Sequence, residues 1–382
     1  MGTDTDPLKA DTDDDGVNDG DELAGNSDPL NNCDPDAIVG GCNTVNPCAV
    51  DPMSEICDFD GDGLVNSEDP DDDGDDILDV DEDVNGNGDF ADDDSDGDGI
   101  PDIIDPDYNV FVHAKVFLQG AHDRSTGLMR DDLRVKNLIP TKEPFTDLEI
   151  GGVKPFTHVG SGGGETVQET ILDIEGDDAI VDWIFLEVRA ADNVDVVEQT
   201  RAALIQRDGD IVDTDGVSPV AFPVVEGRYH VVIKHRNHLG IMSGEAVSLR
   251  RDVTNPATFD FTSDVTKTWG VAAQREVDGV RTLWGGNTDG NRFIIFQGSG
   301  VGIPDTDGIF FTIFLDTANN PPIYNHITQG YYLSDTNMDG EVLYQGLNND
   351  IDDLIFFNIL SHPQNPSFFT NFFIEEQVPS GK

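Results

Sequence analysis

Residues 94–105 read DSDGDGIPDIID, and this short stretch decides how the first third of the chain folds. Asp94, Asp96, Asp98, Asp102 and Asp105 stand at positions 1, 3, 5, 9 and 12 of a loop, with Gly99 at position 6. Carboxylates packed this closely repel, and a merely polar acidic run is expected to stay disordered. The fixed place of the glycine points elsewhere. Calcium takes six to eight oxygens at about 2.3–2.6 Å, and a loop with acidic side chains at those five positions wraps it. Glycine at position 6 permits the sharp turn.

The same pattern recurs upstream. Asp11, Asp13, Asp15, Gly16, Asp19 and Glu22 fit it fully, and Asp58, Asp60, Asp62, Gly63, Asn66 and Asp69 fit with one amide. Asp71, Asp73, Asp75, Asp79 and Glu82 fit with Asp76 where glycine is expected. Asp83, Asn85, Asn87, Gly88 and Asp94 fit loosely, because Ala91 takes the ninth position. The last four loops start at 58, 71, 83 and 94, 13, 12 and 11 residues apart, and Asp94 is expected to close one and open the next. Single apolar residues between loops (Val17, Leu64, Ile77, Ile100) are too few for a core. Several Ca2+ ions are therefore expected to supply the folding energy.

This ladder resembles thrombospondin type 3 repeats. TDPLKADTDDDGVNDGDE (5–22) is similar to their bacterial version, in which a TDPL turn precedes each loop. At SDPLNNCDPD (27–36) the family would continue into another aspartate loop, but a cysteine-bearing insert, 33–57, intervenes.

Charge follows the same division. The chain has 21 basic and 77 acidic side chains, a net −56; residues 1–107 hold 37 acidic and one basic, Lys9, leaving 40 and 20 for the rest. Nucleic-acid binding and anionic membrane surfaces are excluded as partners, since both need clustered Lys and Arg. No stretch approaches the ~20 apolar residues of a membrane span. Cys33, Cys42, Cys48 and Cys57 lie within 25 residues at spacings that match no zinc ribbon or CxxC motif. Two disulfides in an oxidising compartment are expected, with all three pairings open. MGTDTDPLKAD lacks the features of a signal peptide, so the chain is expected to begin inside a larger secreted precursor.

After Asp107 the pattern changes to period two. VHAKVFLQG (112–120), AIVDWIFLEVRA (179–190), ALIQRDGDIVD (203–213), RYHVVIKHRNH (228–238) and ATFDFTS (257–263) read as strands bounded by turn residues. An antiparallel β-sandwich over 108–268 is expected, within a mainly β fold. His235 and His238, three apart, are expected on opposite faces of a strand and so in structural roles, and Asp182 and Glu187 likewise. Ser161 lies in the Gly run GSGGGE, outside any strand–turn–helix context for a nucleophile. We therefore expect no enzyme activity.

KVFLQGAHDRSTGLMRDDLR (115–134), VDWIFLEVRA, ALIQRDGDIVDTDG and especially HRNHLGIMS (235–243) resemble a C-terminal module common in large secreted proteins of Bacteroidetes-type bacteria. The resemblance spans about Val110 to Pro379 and implies an appended extracellular module without an activity of its own.

The last quarter, 269–382, repeats one order twice. GGNTDGNRFIIFQG and DTDGIFFTIF (285–314) match DTNMDGEVLYQG and DIDDLIFFNIL (335–360). The second copy offers Asp335, Asn337 and Asp339, with Gly340 at the turn and Asp350 or Asp353 to close the site. The first has Asn287 and Asp289 but Gly285 where the leading Asp belongs, with Asp305 or Asp307 as helpers, and is expected to bind weakly or not at all. DTNMDGEV resembles a dockerin or EF-hand-like loop.

The functional expectation is a calcium-stabilised extracellular structural or adhesive segment on a bacterial surface or secreted protein. An acidic spacer (1–107) would carry a β-sandwich (108–268) and a paired-loop module (269–382). Its partners would be other copies of the chain, another surface protein or a glycan. The alternatives are a calcium-dependent fibre or surface-layer subunit, and a carbohydrate-binding or anchoring tail of a secreted hydrolase. For the last, Trp183, Trp269 and Trp284 are the first candidates.

Overall fold

The segment 179–190 becomes the central strand of a mainly β fold in the computed structural model. The described residues are 57–60, 64–74, 78–82, 88–93, 101–105 and 109–381, apart from 161, 225, 264–267 and 299. The chain divides into two compact units, Met1–Asp107 and Tyr108–Lys382. The division expected at 268/269 falls inside the second unit. There Leu118 bridges Leu283 and His238 bridges Gly285, so chain on both sides of it shares one sheet framework.

The acidic unit shows short turns and single helical turns at Asp79–Glu82, Phe90–Asp92 and Asp102–Ile104. The last buries Ile103 and Ile104.

In the second unit, β1 (Asn109–Lys115) precedes a small hairpin of β2 (His122–Asp123) and β3 (Leu128–Met129). Then come β4 (Ile180–Ala190), β5 (Val197–Gln206), β6 (Ile211–Val212) and β7 (Val220–Pro223). They are followed by β8 (Gly227–His235), β9 (His238–Met242), β10 (Val247–Leu249) and β11 (Ala257–Asp260). One sheet has the order β10-β8-β4-β5-β6, with β9 also on β8; the other is β11-β1-β7. β4 is buried at every position but its last, as a strand flanked on both edges and covered on both faces must be. The two sheets share one core, running from Val110 and Val112 through Trp183 and Phe185 to Phe222 and Ile233. One pair departs from the antiparallel expectation: β1 runs parallel to β11. Those strands are joined through the whole other sheet, a connection long enough for parallel pairing.

β12 (Gln274–Val277) and β13 (Val280–Leu283) form a hairpin leading into the duplicated region. Copy one comprises β14 (Phe293–Ile295), the helix Asp305–Leu315 and β15 (Thr328–Gln329). Copy two comprises β16 (Glu341–Val342), a π turn Asp352–Phe356 running into the helix Phe357–Ser361, and β17 (Phe373–Glu375). The copies exchange strands: β14 pairs with β17, and β15 with β16. Phe293 opposes Glu375 while Glu341 opposes Gln329, so the registers are equivalent. Ile309, Ile313, Ile355, Ile359 and Trp284 fill a second core between them. Four apart on a helix, Ile309 with Ile313 and Ile355 with Ile359 each form one inward stripe.

Candidate metal centres

In the acidic unit carboxylates turn inward. Asp72, Asp73, Glu82, Asp93 and the amide of Asn66 are all buried. Asp69 Oδ1 accepts the Asp71 N–H at 3.1 Å, and Asp79 Oδ1 accepts the Asp72 N–H at 2.9 Å. Gly74 takes a left-handed φ of +71°, and a Cβ there would stand 2.6 Å from Asp60 Oδ2. Only glycine lets the turn approach that carboxylate so closely. Asp69, Asp71 and Asp73 alternate before this glycine.

Asp72 is the residue the spacing pattern skips. Burial pushes its carboxyl up to about 7, reinforced by the charges of Asp79, Asp69, Asp71 and Asp60. Its Oδ1 is buried with no hydrogen-bond partner. Asp79 is raised as well, chiefly by burial. Asp93 also falls between the pattern's positions, and its carbonyl accepts the Asp102 N–H at 2.9 Å. Asp58 and Asp60 are exposed, Asp105 half-buried. Asp11, Asp13, Asp15, Asp19, Glu22, Asp62, Asp75, Asp83, Asn85, Asn87, Asp94, Asp96 and Asp98 lie outside the described residues, as do Cys33, Cys42 and Cys48. Cys57 is fully buried, and no described cysteine is free.

In copy two the Asp335 side chain folds into its own loop. Its Oδ1 accepts the Asp339 N–H at 3.1 Å and its Oδ2 the Gly340 N–H at 2.8 Å. Asn337 Oδ1 also accepts the Asp339 N–H, at 2.9 Å. Asp350 closes the loop: its Oδ1 accepts the Thr336 N–H at 2.8 Å and its Oδ2 the Leu343 N–H at 2.8 Å. Burial pushes Asp335 up to about 7, against the nearby Arg236, with Asp339 adding to the rise. Burial and the Asp335 charge hold Asp350 well above the usual carboxylate range. Asp353 is exposed and lines, with Asn337 and Asp339, an open cavity of about 550 Å³. Of the two candidates for closing the loop, only Asp350 engages its backbone.

Copy one repeats these bonds. Asp305 Oδ1 accepts the Thr288 N–H at 2.6 Å, Asp305 Oδ2 the Ile295 N–H at 2.7 Å, and Thr288 Oγ1 donates to the Asp305 carbonyl at 2.8 Å. In copy two Thr336 Oγ1 donates to the Asp350 carbonyl at 2.7 Å. Thr288 therefore corresponds to Thr336, an offset of 336 − 288 = 48. Asn287, not Gly285, stands at the place of Asp335. The sequence alignment is corrected by two residues because the hydrogen bonds, rather than the DG dipeptide, hold the register. Copy one thus presents Asn287, Asp289, Asn291 and Asp305, with Asp305 raised well above its usual range by burial and Asp289. Asp307 is half-buried and makes no side-chain bond to this loop among the described contacts.

The hairpin turn Arg236–Asn237 brings His235 and His238 together. Cross-strand pairing of the two places Nδ1 of each 3.1 Å apart, contrary to the opposite faces expected of an uninterrupted strand. All four ring nitrogens have partners. His235 Nε2 meets Asp182 Oδ2 at 3.1 Å, His238 Nδ1 meets Asn237 Oδ1 at 2.7 Å, and His238 Nε2 accepts the Gly120 N–H at 3.0 Å. Burial pushes both rings below the usual histidine range. Asp182 also accepts Arg236 Nε at 2.9 Å and Tyr331 OH at 2.6 Å. Asn237 Nδ2 donates to the Asp335 carbonyl at 2.7 Å, tying this network to the second-copy loop. Glu187 instead pairs with Arg189 and Lys234.

Trp183 and Trp284 are buried, their Nε1 atoms donating to Pro140 and Ala272 carbonyls, so neither offers a face to a sugar. Trp269 is 36% exposed. Ser161 lies outside the described residues. No family model, curated protein or solved structure matches the chain.

Proposed function

We propose that the chain is a calcium-stabilised, non-enzymatic structural or adhesive segment of an extracellular protein, its acidic repeats and its second-copy loop each holding Ca2+. The observation that carries this reading is Asp72, a buried carboxylate with an unpartnered oxygen and four further aspartates as its charged surroundings. Such a group needs a proton or a cation, and the donors around it are all oxygens, which suits calcium. Asp335, Asn337, Asp339 and Asp350 are the corresponding donors in the second unit. The ion supplies charge neutralisation and cross-links turns that have little apolar surface to bury. A secreted location and disulfides within 33–57 belong to the same proposal, supported by the clustered cysteines and the acidic composition.

Calorimetric titration of the chelator-stripped chain with Ca2+, followed by limited proteolysis, tests it. Several calcium equivalents should bind, and cleavage within 1–107 should slow by at least about tenfold. Equal cleavage with calcium and with chelator would sink the proposal.

A second reading, calcium-dependent self-assembly, is favoured by an exposed apolar face on the duplicated region. Phe311, Phe314, Leu315, Ile323 and Tyr324 are each 47% or more exposed. Patches of this kind commonly mark interaction surfaces. Light scattering that grows with calcium would favour assembly, and scattering unchanged by calcium would favour a monomeric segment.

A further inference from the structure

We propose that Glu143, His158 and Glu165 form a binding site for a divalent d-block cation, zinc by preference, separate from the oxygen-only calcium loops.

The three residues come from irregular segments that meet over β5. Glu143 N–H donates to the Glu165 carbonyl at 3.0 Å, and Thr200 N–H to the Val159 carbonyl at 3.1 Å. The Gly run between His158 and Glu165, without a role in the calcium reading, makes this meeting possible. A Cβ on Gly162 would stand 1.9 Å from the Thr200 carbonyl oxygen, and one on Gly163 would stand 3.0 Å from the His158 ring.

Backbone donors fix both carboxylates. Glu143 Oε2 accepts the Phe145 and Thr146 N–H groups at 2.7 and 3.0 Å, and its Oε1 accepts Gly164 N–H at 3.0 Å. Glu165 Oε1 accepts Ala202 N–H and its Oε2 Gly163 N–H, both at 3.0 Å. Partners of this kind orient ligand groups in metal sites.

The tautomer of His158 follows from Thr200. The Thr200 hydroxyl donates to the Val159 carbonyl at 3.2 Å and accepts the Val159 N–H at 2.9 Å. With its one proton so used, it can only accept from His158 Nδ1, 3.1 Å away. That leaves a lone pair on Nε2, which is buried without a hydrogen-bond partner. Nε2 faces Glu143 Oε2 at 3.8 Å. The Nε2 lone pair faces a carboxylate across a gap too long for a hydrogen bond, and tetrahedral zinc with bonds of about 2.0–2.1 Å would hold two such donors about 3.4 Å apart, so a shift of a few tenths of an ångström closes the site.

All three donor atoms lie within 4.8 Å of one another, so small side-chain rotations complete the set. Charge agrees. Arg201 Nε lies 3.5 Å from Glu165 Oε1, but its Nη2 also serves Asp213 at 3.2 Å. Three carboxylates against one guanidinium leave −3 + 1 = −2, matched by one dication. An imidazole nitrogen with two carboxylates suits zinc, whereas calcium calls for six to eight oxygens. Three protein donors leave a fourth tetrahedral position for water.

The test uses the full chain with calcium in excess, so that oxygen-only sites are filled. After equilibration with micromolar zinc and dialysis, metal analysis should find one zinc per chain, and Glu165→Gln and His158→Ala should each lose it. Zinc at a hundredfold excess over Kd should raise the melting temperature by on the order of 5 °C. Melting both variants in calcium without zinc separates loss of the site from loss of the fold. In the native chain X-ray absorption at the zinc edge should show one imidazole nitrogen together with carboxylate oxygens around the ion. Zinc bound without a histidine nitrogen would overturn the proposal, as would zinc retained by both folded variants.

Discussion

Arg236 Nε lies 2.9 Å from Asp182 Oδ2, 54 residues upstream, with both side chains out of solvent. Asp182 is held below the usual carboxylate range against the cost of its burial, by Arg236 first and then by His235 and Tyr331. Removing one member leaves the other charge buried without its counter-ion. Asp182→Ala should therefore cost about 3–5 kcal/mol in urea unfolding. Asp182→Ala combined with Arg236→Leu should cost clearly less than the sum of the single changes. Strict additivity would show that the pair is not coupled.

Calcium and pH should compete in the second-copy loop. Asp335 and Asp350 have raised folded-state pKa values, so without an ion the folded chain keeps protons that the unfolded chain has lost. Their contribution is full below about pH 4 and is lost as pH rises, for Asp335 as it passes about 7, at up to about 1.4 kcal/mol per pH unit for each group. The lowered His235 and His238 act oppositely, losing stability as pH falls below the ordinary histidine value, with calcium or without it. The stability gained from calcium should therefore grow steadily with pH, as measured by unfolding in calcium and in chelator. A gain that stays flat over that range would contradict the ligand assignment.

Asp72→Asn should act with opposite signs in the two states. In chelator it removes a buried charge repelled by four neighbours, and should slow proteolysis around residues 57–82. In calcium it should weaken one binding step by about tenfold, or ~1.4 kcal/mol. Unchanged affinity would place Asp72 outside the ligand set.

The duplicated region predicts matched losses. Asn319 Nδ2 donates to the Ile313 and Ile323 carbonyls at 2.9 and 3.0 Å, and Asn365 Nδ2 to those of Ile359 and Phe369 at 2.8 and 2.9 Å. Each closes the C-terminal end of its helix. Changing either to Ala leaves buried carbonyls unmet and should cost about 2–3 kcal/mol. Costs that differ by several kcal/mol would mean that the copies are not equivalent in energy.

Two glycines of the run 160–164 should respond differently. Gly162→Ala drives a methyl into the Thr200 carbonyl, so the loop must move and stability should fall by about 1–3 kcal/mol or more. At Gly164 nothing lies within 4 Å, and only the left-handed φ of +86° resists, which costs about 1–2 kcal/mol. Thermal melts of both variants compare the two.

Much of this chain is legible from local spacing. The apolar character of 179–190 marks β4, though the expected alternation gives way to burial on both faces, where a strand has one workable chemistry along its length. The acidic DxDxDG segment is marked off by its composition, and the chain divides after Asp107. The duplication shows in the recurring aromatic-Gln-Gly and Phe-Phe strings.

Three features escaped such reading, each because it depends on residues distant in sequence. The two-residue turn at 236–237 returns β9 onto β8 and brings two histidines from expected opposite faces into contact. The correspondence of Asn287 with Asp335 rests on Asp305 and Asp350 closing their loops from 17 and 14 residues beyond Thr288 and Thr336, spacings unequal in sequence but equal in hydrogen bonding. The one-residue difference further on is taken up by the π turn at Asp352–Phe356, which lets Ile359 match Ile313. The sequence by itself determined the strands β1, β4, β5, β6, β8 and β11 and which loops are acidic, since both are set by near neighbours. Only the tertiary structure decided which carboxylates are buried together, because burial and charge repulsion depend on what the folded chain places around each side chain.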